Sequence, residues 1–194
     1  MNIHTNKKVS ILIFASGNGS NAENIIRYFN DRNTVINWTI VTNNPNAGAI
    51  EKSKKLNIPY LIFEKKDFVN ERVLNLASEM NPSLIILAGF LLKISLRLIN
   101  RFPNKIINIH PSLLPKYGGK GMYGMNVHKK VLKNKEIESG ISIHYVNKNY
   151  DEGEIIFQKS VTIQYPCDAE TLSKNINKVE MKYFPMVISK LLNI

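Results

Sequence analysis

Between residue 9 and residue 108, short apolar runs alternate with stretches in which apolar residues recur at helical spacing. The apolar runs predict strands at residues 9–14, 36–41, 60–63, 83–88 and 105–108. The stretches between them predict helices at residues 21–30, 47–56, 67–80 and 95–101. Strands that alternate with helices are typical of a parallel sheet. Because residues 84–87 are all apolar, we expect helices to cover this sheet on both faces.

The pattern changes in the last part of the chain. A short helix is predicted at residues 126–134, after a glycine-rich segment. Two strand-like runs, 140–147 and 154–163, are joined by a short polar connection and predict an antiparallel hairpin. A final helix is predicted from residue 169 to about residue 192. No repeat or linker divides the sequence, so we expect residues 1–194 to form one α/β domain with a mostly parallel central sheet and a C-terminal antiparallel hairpin.

Composition narrows the class of protein. The chain carries a formal net charge of +11, but its lysines are scattered, which favours a solvated surface over a nucleic-acid site. The positive field would still favour an anionic small substrate. No stretch approaches the run of about twenty apolar residues that a membrane helix needs, and the first apolar run lacks the flanks of a secretion signal. A single cysteine, Cys167, suits a reducing compartment, so we expect a soluble cytoplasmic protein.

The first candidate site is the loop between the first strand and the first helix, residues 16–21, with the sequence SGNGSN. Glycine lets the backbone approach a ligand closely, and the free N–H groups of a helix start bind anions. The spacing also matches a loose dinucleotide fingerprint, but residues 42–44, TNN, lack the acidic residue that would hold a ribose. We therefore favour a monophosphate site, to which Ser20 and Asn21 would add side-chain donors. A tight turn in which Ser20 or Asn21 caps the helix is the alternative.

The second candidate is residues 108–115, NIHPSLLP, at the carboxyl end of the predicted fifth strand. Open α/β sheets bind their ligands at these strand ends. Strand periodicity points Asn108 and His110 to the same side. A lone histidine would more often be a satisfied core residue. The paired asparagine and the prolines that fix the following loop favour a functional His110.

The third candidate is Asp151, in the polar connection of the predicted hairpin. Asp followed by Gly is frequent in turns, because Asp can bond its own backbone and Gly supplies positive φ. Taken alone, Asp151 therefore favours a turn residue. His144, on the preceding strand, is expected in the core or behind the site.

These motifs, with the LAGF run at residues 87–90, occur in order along nearly the whole chain and resemble the folate-dependent formyltransferases. The HPSLLP block marks that superfamily, and the GNGSN loop points to its members that formylate glycinamide ribonucleotide. The resemblance implies a Rossmann-like formyltransferase fold. It also implies transfer of the formyl group of 10-formyltetrahydrofolate to the amine of 5'-phosphoribosylglycinamide, which gives formylglycinamide ribonucleotide and tetrahydrofolate in purine biosynthesis.

The resemblance assigns roles to particular residues. The catalytic residues that it implies are Asn108, His110 and Asp151. The ribonucleotide contacts that it implies are Gly19, Ser20 and Asn21 for the phosphate, with Asn177 and Glu180 on the last helix. The folate contacts that it implies are Lys66, Leu91, Leu92, Lys93, Ile94, Asn108, Asn147, Lys148, Asn149, Tyr150 and Asp151.

Two departures from the family concern the expected cleft. Relatives commonly have a shorter connection after Tyr117, where this chain inserts residues 118–124, and we expect this insert to shape substrate access. Leu92 stands where many relatives carry a basic residue, so folate contacts there are expected to differ.

The expected partners are small molecules alone, with the chain a monomer or homodimer and without nucleic acid or membrane. No metal is expected, because the histidines lack ligand-like spacing; these are His4, His110, His128 and His144. A methionyl-tRNA formyltransferase or a formyltetrahydrofolate hydrolase would normally carry a further domain, so we expect neither. A nucleotide-binding module without catalysis would explain the glycine loop but not Asn108, His110 and Asp151.

Overall fold

The computed structural model describes residues 9–68 and 71–194. Its strands form one seven-stranded sheet with the order β3-β2-β1-β4-β5-β6-β7. The strands are β1 Val9–Phe14, β2 Ile36–Thr42, β3 Tyr60–Ile62, β4 Leu84–Leu87, β5 Ile106–His110, β6 Glu138–Tyr145 and β7 Ile155–Thr162. Strands β1 to β5 pair in parallel, whereas β6 is antiparallel to both β5 and β7. The expected parallel sheet with a C-terminal hairpin is confirmed.

Helices connect the parallel strands and close the chain. They are α1 Ser20–Asn30, α2 Gly48–Lys55, α3 Glu71–Met80, α4 Leu96–Arg101, α5 Met125–Lys133 and α6 Ala169–Leu192. All predicted elements are present within two residues of their predicted bounds, except one helix. No described helix is long and apolar enough to cross a membrane.

The prediction of one helix over residues 67–80 is wrong at its start. The chain forms a short 3₁₀ turn, Lys65–Phe68, and α3 begins at Glu71; residues 69 and 70 lie outside the described part. The buried carboxylate of Asp67 accepts a hydrogen bond from the backbone N–H of Glu64, at 2.8 Å. This side-chain bond stabilises a local turn in place of a helical start.

Each face of the sheet carries its own apolar cluster. In β1, Ile11 and Ile13 join a cluster with α1, α2, α5 and α6, whereas Leu12 and Phe14 join a second cluster with α3 and α4. These alternating side chains are all fully buried, each contributing about 1.5–3 kcal/mol relative to exposure. The expectation that helices cover both faces is confirmed.

Three adjacent strand ends position the candidate site. Strand β1 pairs with β4 and β4 with β5, so their carboxyl ends lie side by side. The strand order reverses between β1 and β4, which is where doubly wound sheets open a crevice for ligands. Helix α6 packs against α1 and α5 and adds a wall to this end of the sheet.

Candidate active site

The three residues predicted to be catalytic lie together at the end of β5. The carboxylate of Asp151 places Oδ2 at 3.5 Å from His110 Nδ1 and Oδ1 at 3.4 Å from Asn108 Nδ2. Asn108 and His110 occupy alternate positions of β5, as expected for side chains that point to one side. The β6–β7 connection brings Asp151 to them. Asp151 has φ 56°, so it is a turn residue as well as a member of this cluster.

His110 is held by a backbone group. Its Nε2 lies 2.7 Å from the carbonyl oxygen of Tyr117, and its side chain is almost fully buried. A carbonyl oxygen only accepts, so Nε2 carries a hydrogen. Burial lowers the pKa of His110, although the charge of Asp151 and the Tyr117 carbonyl raise it in part. His110 is therefore neutral near neutral pH, with Nδ1 facing Asp151.

Asp151 is ionised despite its partly buried position. Burial by itself raises the pKa of this carboxyl, but His144, His110 and the N–H of Gly119 bring the pKa below its usual value. The Gly119 N–H donates to Oδ2 at 2.9 Å. The site thus holds a fixed negative charge next to an imidazole.

His144 is buried and contacts two of the residues predicted to be catalytic, so it lies both in the core and behind the candidate site. It is buried on β6, with Nε2 at 3.1 Å from Asn108 Nδ2 and 3.6 Å from Asp151 Oδ1. Its Nδ1 lies 2.8 Å from the carbonyl oxygen of Tyr145 and therefore carries a hydrogen. Its Nε2 thus contacts both the Asn108 amide and the Asp151 carboxylate.

A cleft of about 670 Å³ opens above these residues. This volume lies in the range of sites for small molecules and cofactors. The walls come from the ends of β1, β4 and β5, from the insert 118–124, and from α5 and α6. Residues from each wall include Asn21, Phe90, Asn108, His110, Met122, Tyr123, His128, Asp151, Asn177 and Glu180.

The glycine loop leaves the start of α1 open to a ligand. Gly19 precedes the helix with φ 74°, and a Cβ there would lie 2.5 Å from Ala49 Cα, so only glycine fits. None of the described side chains caps this helix start. The alternative in which Ser20 or Asn21 caps α1 is therefore wrong, and the helix starts without a side-chain cap beside Gly17 and Asn21, which line the cleft.

The residues predicted to bind the ribonucleotide form a small cluster. The Oε2 of Glu180 accepts from Asn21 Nδ2 at 3.0 Å and from Asn177 Nδ2 at 3.4 Å. Burial raises the pKa of Glu180, although these two amides lower it in part. The Oδ1 of Asn21 is buried without a hydrogen-bond partner among the described residues. Asn21 from the loop and Asn177 and Glu180 from α6 thus line the same cleft.

Most residues predicted to contact folate line a smaller recess of about 70 Å³ beside the residues predicted to be catalytic. Its lining includes Leu92, Lys93, Ile94, Asn108, Asn147, Asn149, Tyr150 and Asp151. Leu91 lies in the larger cleft. Lys66 and Lys148 are exposed and line neither space; Lys66 pairs instead with Glu64 at 2.7 Å. The folate contacts of all these residues stay predictions.

A family model described as formyl transferase matches residues 9–188. The chain belongs to the formyl transferase family. It is 35% identical over 188 residues to the phosphoribosylglycinamide formyltransferase of Bacillus subtilis, and the match covers 94% of each chain. It is 34% identical over 194 residues to the chloroplastic phosphoribosylglycinamide formyltransferase of Arabidopsis thaliana, covering 95% of this chain and 66% of that protein.

Solved structures of the family share the fold. The phosphoribosylglycinamide formyltransferase of Bacillus halodurans superposes with a TM-score of 0.84 at 30% identity, covering 94% of this chain and 95% of the other. The glycinamide ribonucleotide transformylase 1 of Geobacillus kaustophilus gives 0.85 at 30% identity, covering 95% and 99%. The Rossmann-like formyltransferase fold expected from the motifs is confirmed.

The structure also shows contacts at the cleft that the sequence did not predict. Residues 119–124 of the insert line the cleft, and the backbone N–H of Gly119 donates to Asp151. The effect of the insert on substrate access stays a prediction. His128 on α5 is buried and lines the cleft. Its burial lowers the pKa of the His128 imidazole, and the nearby His110 lowers that pKa further. A glycine-rich insert was a sequence signal for an unusual backbone. The contacts of Tyr117 and His128 had no such signal.

Within residues 9–68 and 71–194, no group of three or more His, Cys, Asp or Glu side chains is arranged to hold an ion. His4 lies outside the described residues.

Proposed function

We propose that this formyltransferase moves the formyl group of 10-formyltetrahydrofolate to the amine of 5'-phosphoribosylglycinamide, as a cytoplasmic enzyme of purine biosynthesis. The observation that carries the proposal is the shared cleft. This cleft is lined by the glycine loop at the start of α1, by a polar cluster on α6, and by Asn108, His110 and Asp151. This arrangement suits a phosphorylated amine at one end and a formyl donor at the other.

The ribonucleotide end is formed by α1 and α6. The N–H groups of Gly19, Ser20 and Asn21 would bind the phosphate, which the positive end of the helix dipole also favours. Glu180 and Asn177 would contact the ribose or the glycinamide, because a carboxylate accepts from hydroxyl and amide donors.

The folate end is the recess beside Asn108. Leu92 and Ile94 give it apolar walls, and the Tyr150 ring, with Lys93 Nζ 5.6 Å from its centre, gives a flat face. A planar heterocycle fits such a surface, and backbone groups of the 147–151 connection would bind its polar edge.

Formyl transfer passes through a tetrahedral intermediate with a negatively charged oxygen. The Asn108 amide would donate to this oxygen, an interaction that stabilises comparable transition states by about 2.7–4 kcal/mol. Its present contact with Asp151 is 3.4 Å long and therefore weak, so one N–H can turn to the substrate. The other N–H stays on His144.

His110 would move the proton. The substrate amine forms a bond to the formyl carbon and becomes positively charged, and neutral Nδ1 of His110 takes its extra proton. The carboxylate of Asp151 stabilises the resulting imidazolium at 3.5 Å. The proton then passes to the folate nitrogen as the bond between that nitrogen and the formyl carbon breaks, so no covalent enzyme intermediate is required.

The direct test is a spectrophotometric assay of 10-formyltetrahydrofolate turnover with and without the ribonucleotide. We expect turnover only when both substrates are present. Turnover without the ribonucleotide would instead indicate a hydrolase, and no turnover under either condition would indicate a binding module. Either of these outcomes contradicts the proposal.

Replacing Glu180 with alanine tests the ribonucleotide end. We expect the KM for the ribonucleotide to rise roughly ten- to hundredfold, because hydrogen bonds to charged groups contribute about 1.5–3 kcal/mol. The KM for folate and kcat should change little, because Glu180 lies away from the recess. Glu170→Ala, an exposed change in the first turn of the same helix, is the matched control. An equal rise in both KM values would contradict the assignment.

A further inference from the structure

We propose that residues 117–119 form a positioning segment for the catalytic pair His110 and Asp151, and that the phenol of Tyr117 anchors this segment. The inference rests on the formyl transfer proposed above. Residues 117–119 contact His110 and Asp151 and would act through them, so we assign these residues a positioning role.

One short stretch of backbone bonds both members of the pair. The carbonyl oxygen of Tyr117 lies 2.7 Å from His110 Nε2. Two residues later, the N–H of Gly119 donates to Asp151 Oδ2 at 2.9 Å. The same Oδ2 faces His110 Nδ1 at 3.5 Å. The separation and orientation of imidazole and carboxylate therefore depend on the course of residues 117–119.

The Tyr117 carbonyl also decides which nitrogen of His110 exchanges a proton. Because this oxygen can only accept, Nε2 retains its hydrogen in both the neutral and the charged ring. Nδ1 is then the nitrogen that titrates, and it is the nitrogen that faces Asp151. In the other tautomer, Nδ1 would carry the hydrogen, and the lone pair would lie on Nε2, on the side of the ring away from Asp151.

The side chain of Tyr117 ties the segment to the end of α5. Its hydroxyl donates to Glu136 Oε1 at 2.7 Å and accepts from Asn134 Nδ2 at 2.9 Å. Lys116 Nζ lies 3.3 Å from the same Glu136 oxygen. Tyr117 itself has φ 58°, a left-handed conformation that non-glycine residues rarely adopt. The phenol contacts hold a backbone shape that the chain would otherwise leave.

Gly118 shows how closely the segment approaches the site. A Cβ at this position would lie 2.5 Å from Leu114 Cδ2 and 3.1 Å from Asp151 Cβ. The end of the Leu114 side chain can turn away, but the tight approach to Asp151 Cβ remains. A methyl group at this position is therefore expected to shift Asp151 relative to the Gly119 N–H that donates to it.

Tyr117→Phe tests the anchor, because it removes the hydroxyl and keeps the ring. We expect kcat to fall roughly tenfold, because the segment loses its hydrogen bonds to Glu136 and Asn134, with both KM values changed by less than about twofold. Tyr60→Phe, at the opposite edge of the sheet, is the matched control and should leave kcat unchanged.

The ring nitrogens of His110 give a readout independent of turnover. In protein carrying isotopically labelled histidine, nitrogen chemical shifts at about pH 8, above the usual imidazole pKa, report the tautomer. We expect the Nε2–H form in the wild-type chain and in Tyr60→Phe, and a mixture of tautomers in Tyr117→Phe. Gly118→Ala should produce the same mixture and an equal or larger loss of kcat, and it replaces Tyr117→Phe if that variant fails to fold.

The outcomes separate positioning from function. If Tyr117→Phe and Gly118→Ala match the wild-type chain in kcat or in the tautomer of His110, the positioning role is wrong even when formyl transfer is observed. If the wild-type chain shows no formyl transfer but the tautomer changes as expected, the proposed function is wrong and the positioning of His110 stands.

Discussion

Replacing His110 with alanine is expected to lower kcat by at least about a hundredfold while the fold is retained. The imidazole is the group that can accept the proton of the attacking amine, because burial keeps it neutral and Nδ1 is directed at Asp151. Its neighbour His144 cannot replace it, since Nδ1 of that ring bonds the Tyr145 carbonyl and Nε2 contacts Asn108. Loss of an interaction made in the transition state should lower kcat and kcat/KM together.

A second variant separates chemistry from packing. His110 is only 4% exposed, so alanine also leaves a cavity. His110→Asn fills part of this space and can still donate to the Tyr117 carbonyl, but an amide does not accept a proton near neutral pH. We expect it to be as inactive as the alanine variant. Near-normal turnover in His110→Asn would show that His110 does not carry the proton.

Asp151→Asn is expected to lower kcat to a similar extent, by at least about a hundredfold. The change is isosteric, and asparagine tolerates the φ of 56° at this position as well as aspartate does. Its amide oxygen can still accept from Gly119, so the connection should keep its shape. The variant lacks the negative charge that stabilises the imidazolium of His110.

The pH dependence of kcat/KM in Asp151→Asn should shift in a defined direction. Burial already places the pKa of His110 below 6.5, so we expect the acid limb of the wild-type profile below that pH. Asp151 raises the pKa of His110, and removing its charge lowers that pKa further. The acid limb should therefore move to lower pH in Asp151→Asn, together with the fall in the plateau. An unmoved acid limb would contradict the contact between the two groups.

The sequence was sufficient for those parts of the fold that depend on apolar periodicity. Strand geometry and an unbroken apolar run predict that successive side chains of β1 enter clusters on opposite faces. The structure shows this for Ile11 and Ile13 on one face and Leu12 and Phe14 on the other. The 3₁₀ turn at Asp67 did not follow, because a carboxylate that bonds a backbone N–H three residues earlier looks in sequence like a helix start.

The site was predictable where side-chain chemistry carries it. Asn108 and His110 stood out by strand position. Asp151 needed the family motif, because a turn conformation and a place beside His110 coexist at this one residue. The contacts of Tyr117 and Gly119 could not be predicted, since they use a backbone carbonyl and a backbone N–H that every sequence supplies. Only the folded chain shows where these groups point.

The most direct test of the proposed formyl transfer follows the formyl carbon itself. The chain is incubated with 10-formyltetrahydrofolate labelled at the formyl carbon and with 5'-phosphoribosylglycinamide, and the products are identified by mass spectrometry. We predict that the label appears in formylglycinamide ribonucleotide in step with tetrahydrofolate formation, and that His110→Ala abolishes most of this transfer. Label recovered as free formate, or no transfer to the ribonucleotide, would contradict the proposed formyl transfer.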